Sequence, residues 1–356
     1  MNYAIVPGGP GQDDRSEWLR LMNRNFGAVS PEWYEWTHLK CPYGDANFWL
    51  VQTEEGERVG MTGLMKRRLV IDGKSVSAGQ AANININTEH RTAQAAIKLQ
   101  RALIAKAMDE DISIVFGVTD TAIAVLRRAG YKVVGGGNRW TKPLRSEYRL
   151  RDRIRPIVPR KIVCCAVDLG LRLRSPETWS RRINSSHLAK MEEYGAAFDQ
   201  FWSEIKPISP IGSERTSDFL RWRFTGEPGC HQSAFCLLDD DNKIAAAVIY
   251  RSRDDNKTKH GDAVVGVHDL LYRDLESLET VLAEFSRAMR REGRQALMLN
   301  YFGKSQVADV LRKSGFFPRP WARQVLAWVN PSQRDFDPTR VLDPENWQLT
   351  EADLAF

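Results

Sequence analysis

The stretch Ala81–Ala107, AANININTEHRTAQAAIKLQRALIAKA, decides the fold because it predicts a strand that runs directly into a helix. Isoleucine and asparagine alternate along Asn83–Asn87, which is the period-two pattern of a strand with one apolar face. From Thr92 onward the apolar residues follow helical spacing, and the high alanine content favours a helix. The sequence therefore predicts a strand–loop–helix unit at this point of the chain.

The loop between this strand and this helix, Thr88–Ala96, has the features of an anion site. A helix that begins at the carboxyl end of a strand presents unpaired N–H groups and the positive end of its dipole, which suit a phosphate. We expect the small residues Ala93, Ala95 and Ala96 to let a ligand approach the backbone closely. An ordinary strand–helix turn with a solvated His-Arg pair is the alternative explanation of this window.

Length and composition are those of a soluble globular protein with two domains or one large one. The chain has 356 residues, of which 42% are hydrophobic and 27% charged. We find no signal region at the amino terminus and no apolar window long enough to span a membrane. The five cysteines form no CxxC pair and no metal-ligand spacing, so we expect a cytoplasmic protein without a metal ion.

The positive charge is concentrated in one segment. Residues 146–186 hold ten Arg and Lys against four acidic residues, which equals the whole net charge of +6. The rest is neutral, so a nucleic-acid partner is not expected. Ile162–Leu173 predicts an amphipathic helix, for which we favour packing in a groove between two halves of the molecule. Peripheral membrane contact through residues 149–182, at the inner face of the membrane, is left open.

The second half of the chain repeats the first. Trp33–Trp36 aligns with Phe219–Trp222 at an offset of 186, and Leu126–Tyr131 aligns with Leu311–Phe316 at an offset of 185. We therefore expect two copies of one α/β unit. The predicted segments are a first unit at 1–145, a basic connector at 146–186, a second unit at 187–330 and a C-terminal tail at 331–356.

These features resemble the GNAT (GCN5-related N-acetyltransferase-like) acyltransferases. Their acyl-CoA loop has the pattern Arg/Gln-x-x-Gly-x-Gly/Ala, which Arg91 and Ala96 fit, whereas Gln94 replaces the central glycine. With the repeat, the whole chain resembles a tandem GNAT protein of the type associated with polysaccharide biosynthesis. The resemblance implies an α/β fold of two tandem GNAT-like units, each a mixed, largely antiparallel sheet flanked by helices.

The resemblance also implies a function, the transfer of an acyl group, normally acetyl, from acetyl-CoA or another acyl-CoA to an amine. The acceptor would be a small molecule or glycan, such as an amino sugar or a polysaccharide precursor. In the second unit, Asp274 and Glu276 would repel a pyrophosphate, so we place the donor site in the first unit. The residues expected to bind the donor are Ile84, Ile86, Arg91, Thr92, Ala93, Gln94, Ala95, Ala96 and Thr119.

The catalytic group is harder to assign, because many GNAT enzymes carry a tyrosine where this chain has Leu126 and Leu311. The His268–Asp269 pair could supply a base, although we favour a structural pair that caps a strand end. Trp36, Tyr43 and Trp49 are either core residues or the walls of an acceptor pocket. The candidate catalytic residues are Asn83, Asn85, Asp120 and His268.

Two other functions stay open at this stage. The departures Gln94, Leu126 and Leu311 fit a degenerate GNAT scaffold that binds a ligand or partner without catalysis. A FemABX-type aminoacyl transferase is the other alternative, although the neutral charge outside the connector argues against a broad tRNA surface. The sequence does not indicate an oligomeric state.

Overall fold

The computed structural model describes most of the chain, and the numbering of the helices and strands below follows chain order. The described residues are 3–9, 12–150, 157–230, 232–252 and 264–354. Within the segments predicted above, residues 151–156 of the connector and 355–356 of the tail lie outside this described part.

The N-terminal half consists of six strands and four helices within the described residues. Its strands are β1 (Ala4–Gly8), β2 (Asn47–Gln52), β3 (Arg58–Ile71), β4 (Lys74–Ile86), β5 (Ile114–Thr119) and β6 (Lys132–Pro143). Its helices are α1 (Gln12–Asn25), α2 (Pro31–His38), α3 (Ala93–Asp109) and α4 (Ile123–Ala129). Short connector helices follow, namely α5 (Glu147–Leu150), α6 (Ile157–Arg174) and α7 (Pro176–Trp179).

The C-terminal half has the same order of main elements. Its strands are β7 (Leu188–Met191), β8 (Gly212–Ser213), β9 (Ser233–Leu238), β10 (Ile244–Ser252), β11 (Val264–Tyr272), β12 (Ala296–Gly303) and β13 (Phe317–Val329). Its helices are α8 (Ala196–Ile205), α9 (Ser217–Leu220), α10 (Leu275–Arg291) and α11 (Ser305–Lys313), and a π-helical turn, Arg221–Thr225, continues α9. The tail contains α12 (Thr339–Leu342) and β14 (Gln348–Leu349).

One mixed sheet runs through the whole molecule. Within the described residues its strand order is β1-β2-β3-β4-β5-β13-β6-β12-β11-β10-β9-β7, while β8 attaches to β3 and β14 to β12. The order is symmetric about its centre: each strand of one half lies as far from one end of the sheet as its counterpart in the other half, for example β4 and β11, lies from the other end. Helices flank the sheet, so the predicted α/β fold class is confirmed.

The two halves exchange their last strands. β13 lies between β5 and β6, and β6 in turn pairs with β12 of the other half. Strand β6 runs through Gly135–Gly137, and its register with β13 shifts on either side of the pairs at Gly135 and Gly136. Gly137 is required there, because a Cβ atom would lie 2.5 Å from the Trp321 ring of the neighbouring β13. The predicted boundaries at 145 and 330 therefore do not separate two independent sheets.

Two tryptophans at the 186-residue offset meet between the halves. The Trp36 indole donates a hydrogen bond to the carbonyl of Trp222 at 2.6 Å, and the Trp222 indole donates one to the carbonyl of Trp36 at 2.9 Å. Both side chains are buried. The sequences that match also occupy equivalent elements, since Leu126–Tyr131 runs from α4 to β6 and Leu311–Phe316 from α11 to β13.

The connector helix α6 differs from its prediction. It begins at Ile157, so Pro159 falls in its first turn, the part of a helix where proline is tolerated. It does not pack in a groove between the halves, because most of its described apolar side chains are exposed. All five cysteines are free thiols, of which four are buried and Cys165, on α6, is exposed.

The tail strand β14 requires a glycine beside it. Gly303 has φ +138°, and a Cβ atom there would lie 1.9 Å from the Trp347 carbonyl oxygen. We expect Gly303→Ala to force the tail away from β12 and to lower the free energy of unfolding by at least about 2 kcal/mol. Equilibrium urea unfolding would measure the change.

The matched control is Gly170→Ala in α6, where a Cβ atom would meet nothing within 4 Å. An alanine there should leave stability unchanged or raise it by about 0.4–1 kcal/mol, because it restricts the unfolded chain. Equal stability of the two variants would contradict the proposed contact between β12 and the tail.

His38 makes stability depend on pH. It is buried against Tyr34 and Trp18, and burial lowers its pKa to about 4 from the usual value of 6.5. Between these two values the unfolded chain binds a proton that the folded protein does not, so stability falls as pH falls through this window. The loss is on the order of 3 kcal/mol.

We expect His38→Phe to lose less stability than the parent between pH 7 and pH 4.5 in denaturant unfolding. Parallel losses would contradict the role of His38.

Candidate active site

A cleft opens between the two parallel strands of the N-terminal half. β4 and β5 pair only from Ala78 opposite Ile114 to Gln80 opposite Phe116. Both strands then continue, β4 to Ile86 and β5 to Thr119, without further pairs between them in the described structure. The first turn of α3 follows β4, so a helix N-terminus lies beyond the end of the open strand.

A β-bulge interrupts β4 within this open part. Met61 pairs with Asn85 and Gly63 with Ala82, so Thr62 alone faces two residues of β4. Asn83 takes up the extra length with φ +55°, a left-handed conformation that asparagine tolerates better than most residues. A bulge of this kind leaves backbone groups outside the ladder, where a ligand can bind them.

A chain of buried hydrogen bonds holds the bulge from behind. The Tyr131 hydroxyl donates to Gln100 Oε1 at 3.3 Å, Gln100 Nε2 donates to Thr62 Oγ1 at 2.8 Å, and Thr62 Oγ1 donates to the Ala82 carbonyl at 3.3 Å. Burial raises the pKa of Tyr131 far above its usual range, so its hydroxyl stays a donor. These residues, which the sequence analysis did not select, fix the backbone just before Asn83.

The helix that begins at the end of β4 is capped by Thr92. Its hydroxyl accepts the N–H of Ala95 at 3.3 Å, whereas the first N–H groups of any helix have no intrahelical acceptor. Arg91 lies just before the cap and donates to the Ile86 carbonyl at 3.4 Å through two nitrogens. Gln94 is exposed in the first turn. Arg91, Thr92 and Gln94 therefore lie together at the helix start.

The small residues of this turn have a different role from the predicted one. Ala95 and Ala96 are buried in the apolar core beneath α3, together with Leu99 and Leu103. Their side chains lie on the core face of the helix, where their small size lets α3 pack closely on the sheet. α3 begins at Ala93, whose side chain lies outside the described part of the structure.

Asparagines cluster at the end of β4. Asn25 of α1 donates to Asn87 Oδ1 at 3.2 Å and to Asn85 Oδ1 at 3.4 Å, so Asn85 is already engaged with α1. The Nδ2 groups of Asn83 and Asn87 are buried and have no hydrogen-bond partner among the described residues. Because buried donors are almost always paired in proteins, these two amides are available to donate to a water molecule or to a ligand. Ile84 packs against the core on the α3 side of the sheet, and Ile86 belongs to it.

The end of β5 forms a separate turn. Thr119 Oγ1 accepts the N–H groups of Thr121 at 3.3 Å and Ala122 at 3.1 Å, so this hydroxyl serves to start α4. Asp120 follows and is exposed. Leu126, which occupies the position where many GNAT enzymes carry a tyrosine, is buried in the core of the same half.

The C-terminal half has a counterpart to this cleft, and His268 lies there. Asp269 opposes Ile249 and Val267 opposes Tyr250, so His268 is the extra residue of a bulge in β11, 185 residues after Asn83. Five strand spacings separate β4 from β11, roughly 24 Å across the sheet. The structure therefore does not bring His268 to Asn83, Asn85 and Asp120, and His268 lies in the second cleft instead.

Asp269 is not available to His268 as a catalytic partner. It is fully buried and accepts hydrogen bonds from Arg215 Nε at 2.5 Å and from Thr350 Oγ1 at 2.8 Å. Arg215 also contacts Asp353 of the tail at 2.8 Å. Asp269 therefore has a structural role, because it helps to fasten the tail to the second half.

The tail closes the second cleft. β14 pairs with β12 at Phe302 and Gly303, and the Gln348 side chain also bonds Leu270 and Tyr272 of β11 at 2.9 and 2.7 Å. The start of α10 is closed as well, since Asp274 and Ser277 cap it reciprocally. As predicted, a carboxylate occupies the helix start in this half. A cavity of about 230 Å³ remains beside Gln348.

The aromatic residues considered for an acceptor pocket are engaged elsewhere. Trp36 is buried at the junction of the halves, and Trp49 is buried in the core under α3. Tyr43 is stacked on Phe219, with ring centroids 6.2 Å apart. Of the two explanations considered for Trp36 and Trp49, their burial favours a role in the core.

Gln80 is another residue that the sequence did not single out. It lies at the last paired position of β4, fully buried, where Arg67 donates to its Oε1 at 3.0 Å and its Nε2 donates to the Asp353 carbonyl at 2.7 Å. The tail thus also reaches the closed end of the first cleft. The sequence signal was weak, namely one glutamine in a run of small residues.

The role of the buried chain can be tested with Thr62→Val, which keeps the shape of the side chain. The substitution leaves Gln100 Nε2 and the Ala82 carbonyl without this partner, and we expect a loss of about 1–3 kcal/mol in urea unfolding. Thr225→Val is the control, because it removes only a bond to the Arg221 carbonyl at a partly exposed site. Equal effects of the two substitutions would contradict a special role of Thr62.

Comparison with known proteins agrees with this geometry. Residues 10–134 match the family model of the acetyltransferase (GNAT) domain. A search of curated proteins finds no sequence match. Within the described residues, no cluster of three or more histidine, cysteine or acidic side chains could hold a metal ion.

Solved structures share the fold over 92% of this chain. A probable N-acyltransferase from Enterococcus faecalis has a TM-score of 0.64 at 10% identity, and a GCN5-related N-acetyltransferase from Anabaena variabilis has 0.64 at 14% identity; each match covers 73% of that chain. The N-myristoyltransferase of Saccharomyces cerevisiae, solved with myristoyl-CoA, has 0.56 at 14% identity and is covered over 79% of its length. The fold is therefore the one that these GNAT-type structures share, and the match to the GNAT acetyltransferase domain lies in residues 10–134.

Proposed function

We propose that this protein is an acyl-CoA-dependent N-acyltransferase whose donor site is the cleft between β4 and β5. The observation that carries the proposal is the bulge at Asn83 on the open part of β4. The bulge lies near the start of α3 and near two buried amide groups, of Asn83 and Asn87, that have no hydrogen-bond partner among the described residues. All of these features fall inside the segment that matches the GNAT domain. In this proposal the N-terminal half binds the donor, and the C-terminal half completes the sheet.

The proposed donor contacts follow from the groups at the cleft. The pyrophosphate of CoA binds at the first-turn amides of α3, where the helix dipole is positive, and Arg91 adds a charged contact. The amide groups of Asn83 and Asn87 donate to carbonyl oxygens of the donor. Acetyl-CoA is the simplest donor with this chemistry, and a longer acyl chain is an alternative.

The proposed reaction is direct attack by the acceptor amine on the thioester carbonyl. A C–N bond forms, the C–S bond breaks, and the proton that the amine loses is balanced by the proton that the CoA thiolate gains through water. Backbone and amide donors near the bulge stabilise the oxyanion of the intermediate, and most of the acceleration comes from holding the two substrates together. We assign Asp120, at the end of β5, as the proton acceptor.

The acceptor that we propose is a primary amine on a small molecule or glycan. An amino sugar or a polysaccharide precursor is the narrower expectation from the GNAT resemblance. Three aromatic residues, Trp36, Tyr43 and Trp49, were candidates for a flat surface on which a sugar ring could stack. Trp36 and Trp49 are buried, which leaves Tyr43. An acceptor screen with polyamines, amino sugars and amino acids, read by release of free CoA thiol, would identify the class.

Calorimetric titration with CoA and acetyl-CoA tests the donor site directly. Gln94→Glu adds a carboxylate in the exposed first turn of α3 and should weaken CoA binding at least tenfold, about 1.4 kcal/mol, by repelling the pyrophosphate. Gln94 is the right position, because a glutamate at the buried Ala96 would disrupt the core instead.

Gln306→Glu is the matched control. It adds the same charge to the exposed first turn of α11 in the other half, and it should leave CoA affinity unchanged. Equal binding by parent and both variants, or no CoA binding by the parent, would refute the donor-site assignment. Binding without CoA release for any amine would instead support the scaffold alternative.

A further inference from the structure

Helix α6 touches the rest of the protein along one narrow stripe. Ser146 donates its N–H to Asp168 at 2.7 Å and its hydroxyl to the Cys164 carbonyl at 3.4 Å, and Cys164 is buried. Leu171 is partly buried and Ser175 is buried on the same side. These positions follow the i, i+4, i+7, i+11 spacing of one helix face.

The opposite face of α6 is apolar and exposed to solvent. Ile162 is 67% exposed, Leu169 is 58% exposed and Leu173 is 50% exposed. With Ala166, which is also exposed, they repeat the same i, i+4, i+7, i+11 spacing on the side away from the protein. A helix that packs only within its own chain would turn such a stripe inward, so this face is built to meet something else.

Trp179 extends the apolar face. It lies in the short helix after α6, is 73% exposed, and its indole donates to the Leu173 carbonyl at 2.7 Å. This bond holds the ring beside the end of α6. Tryptophan is a residue typical of the boundary between water and lipid, because its ring is amphipathic.

Arg172 and Arg174 lie on either side of this apolar stripe, whereas Arg181 and Arg182 follow Trp179 and line a cavity with Glu276 and Glu279. None of these four exposed arginines forms an ion pair with a described residue, and all lie on α6 or within about ten residues of its end. An outward apolar stripe beside unpaired positive charge is complementary to an anionic lipid surface, where both parts are satisfied together.

We propose that α6 and Trp179 form an in-plane membrane-contact surface that binds anionic bilayers. The apolar stripe enters the boundary between headgroups and acyl chains, and the arginines contact lipid phosphates. No helix in the described part of the chain is long and apolar enough to cross a membrane, so the contact is peripheral. This inference is independent of acyl transfer.

Vesicle sedimentation tests the proposal with the full-length protein. We expect binding to vesicles of equal parts phosphatidylglycerol and phosphatidylcholine, at least tenfold weaker binding to phosphatidylcholine alone, and weakening by added salt. Replacing Arg172, Arg174, Arg181 and Arg182 by glutamine should abolish this preference for anionic lipid. Four exposed basic residues elsewhere, replaced in the same way, serve as the control, namely Lys190, Arg291, Arg319 and Arg334.

A second pair of variants tests the apolar stripe. Leu169→Asp with Leu173→Asp should reduce vesicle binding at least tenfold, whereas Ile208→Asp with Phe317→Asp, at exposed apolar sites elsewhere, should not. Circular dichroism confirms that each variant is folded. If the parent does not bind vesicles, the proposal is overturned. It is also overturned if neither the four arginine substitutions nor the Leu169 and Leu173 substitutions weaken vesicle binding. If the parent forms a dimer but does not bind vesicles, and the Leu169 variant is monomeric, the apolar stripe serves self-association and the membrane proposal is overturned.

Discussion

The exchange of last strands is the constraint on which the rest of the molecule depends. On one edge, β5 pairs with β4 over three residues only. Its other edge is covered by β13, with pairs from Gln324 opposite Thr119 to Val329 opposite Ile114. An uncovered edge would leave buried N–H and carbonyl groups unpaired. One wall of the proposed donor cleft is therefore fixed by a strand that lies about two hundred residues later in the chain.

The two halves use one framework for different purposes. Both have a bulge, in β4 at Asn83 and in β11 at His268, and both have a helix after the bulged strand. The second cleft is sealed by β14 and by the buried contacts of Arg215 with Asp269 and Asp353. Buried ion pairs contribute little net stability because of desolvation, yet losing one partner is costly. Such a network thus fixes the position of the tail more than it stabilises the fold.

The sequence predicted the features that local patterns encode. The alternation along Asn83–Asn87 and the helical spacing after Thr92 gave β4 and α3, and the repeat gave the common order of elements. It could not predict the strand exchange, because a repeat shows what each half contains but not which half a strand pairs with. The burial of Ala95 and the partners of Arg215 also depend on contacts distant in sequence. Small size and charge alone do not distinguish a core residue from a ligand contact.

The distribution of thiols has a practical consequence. Cys41, Cys164, Cys230 and Cys236 are buried, and burial raises the pKa of Cys236 to about 12, whereas Cys165 is exposed on α6. Thiolates are the reactive form, so a maleimide dye should attach at Cys165 much faster than at the buried sites of the native protein. An environment-sensitive fluorophore placed there needs no engineered cysteine. The wild-type chain thus offers a built-in labelling position from which the surroundings of α6 can be followed in real time.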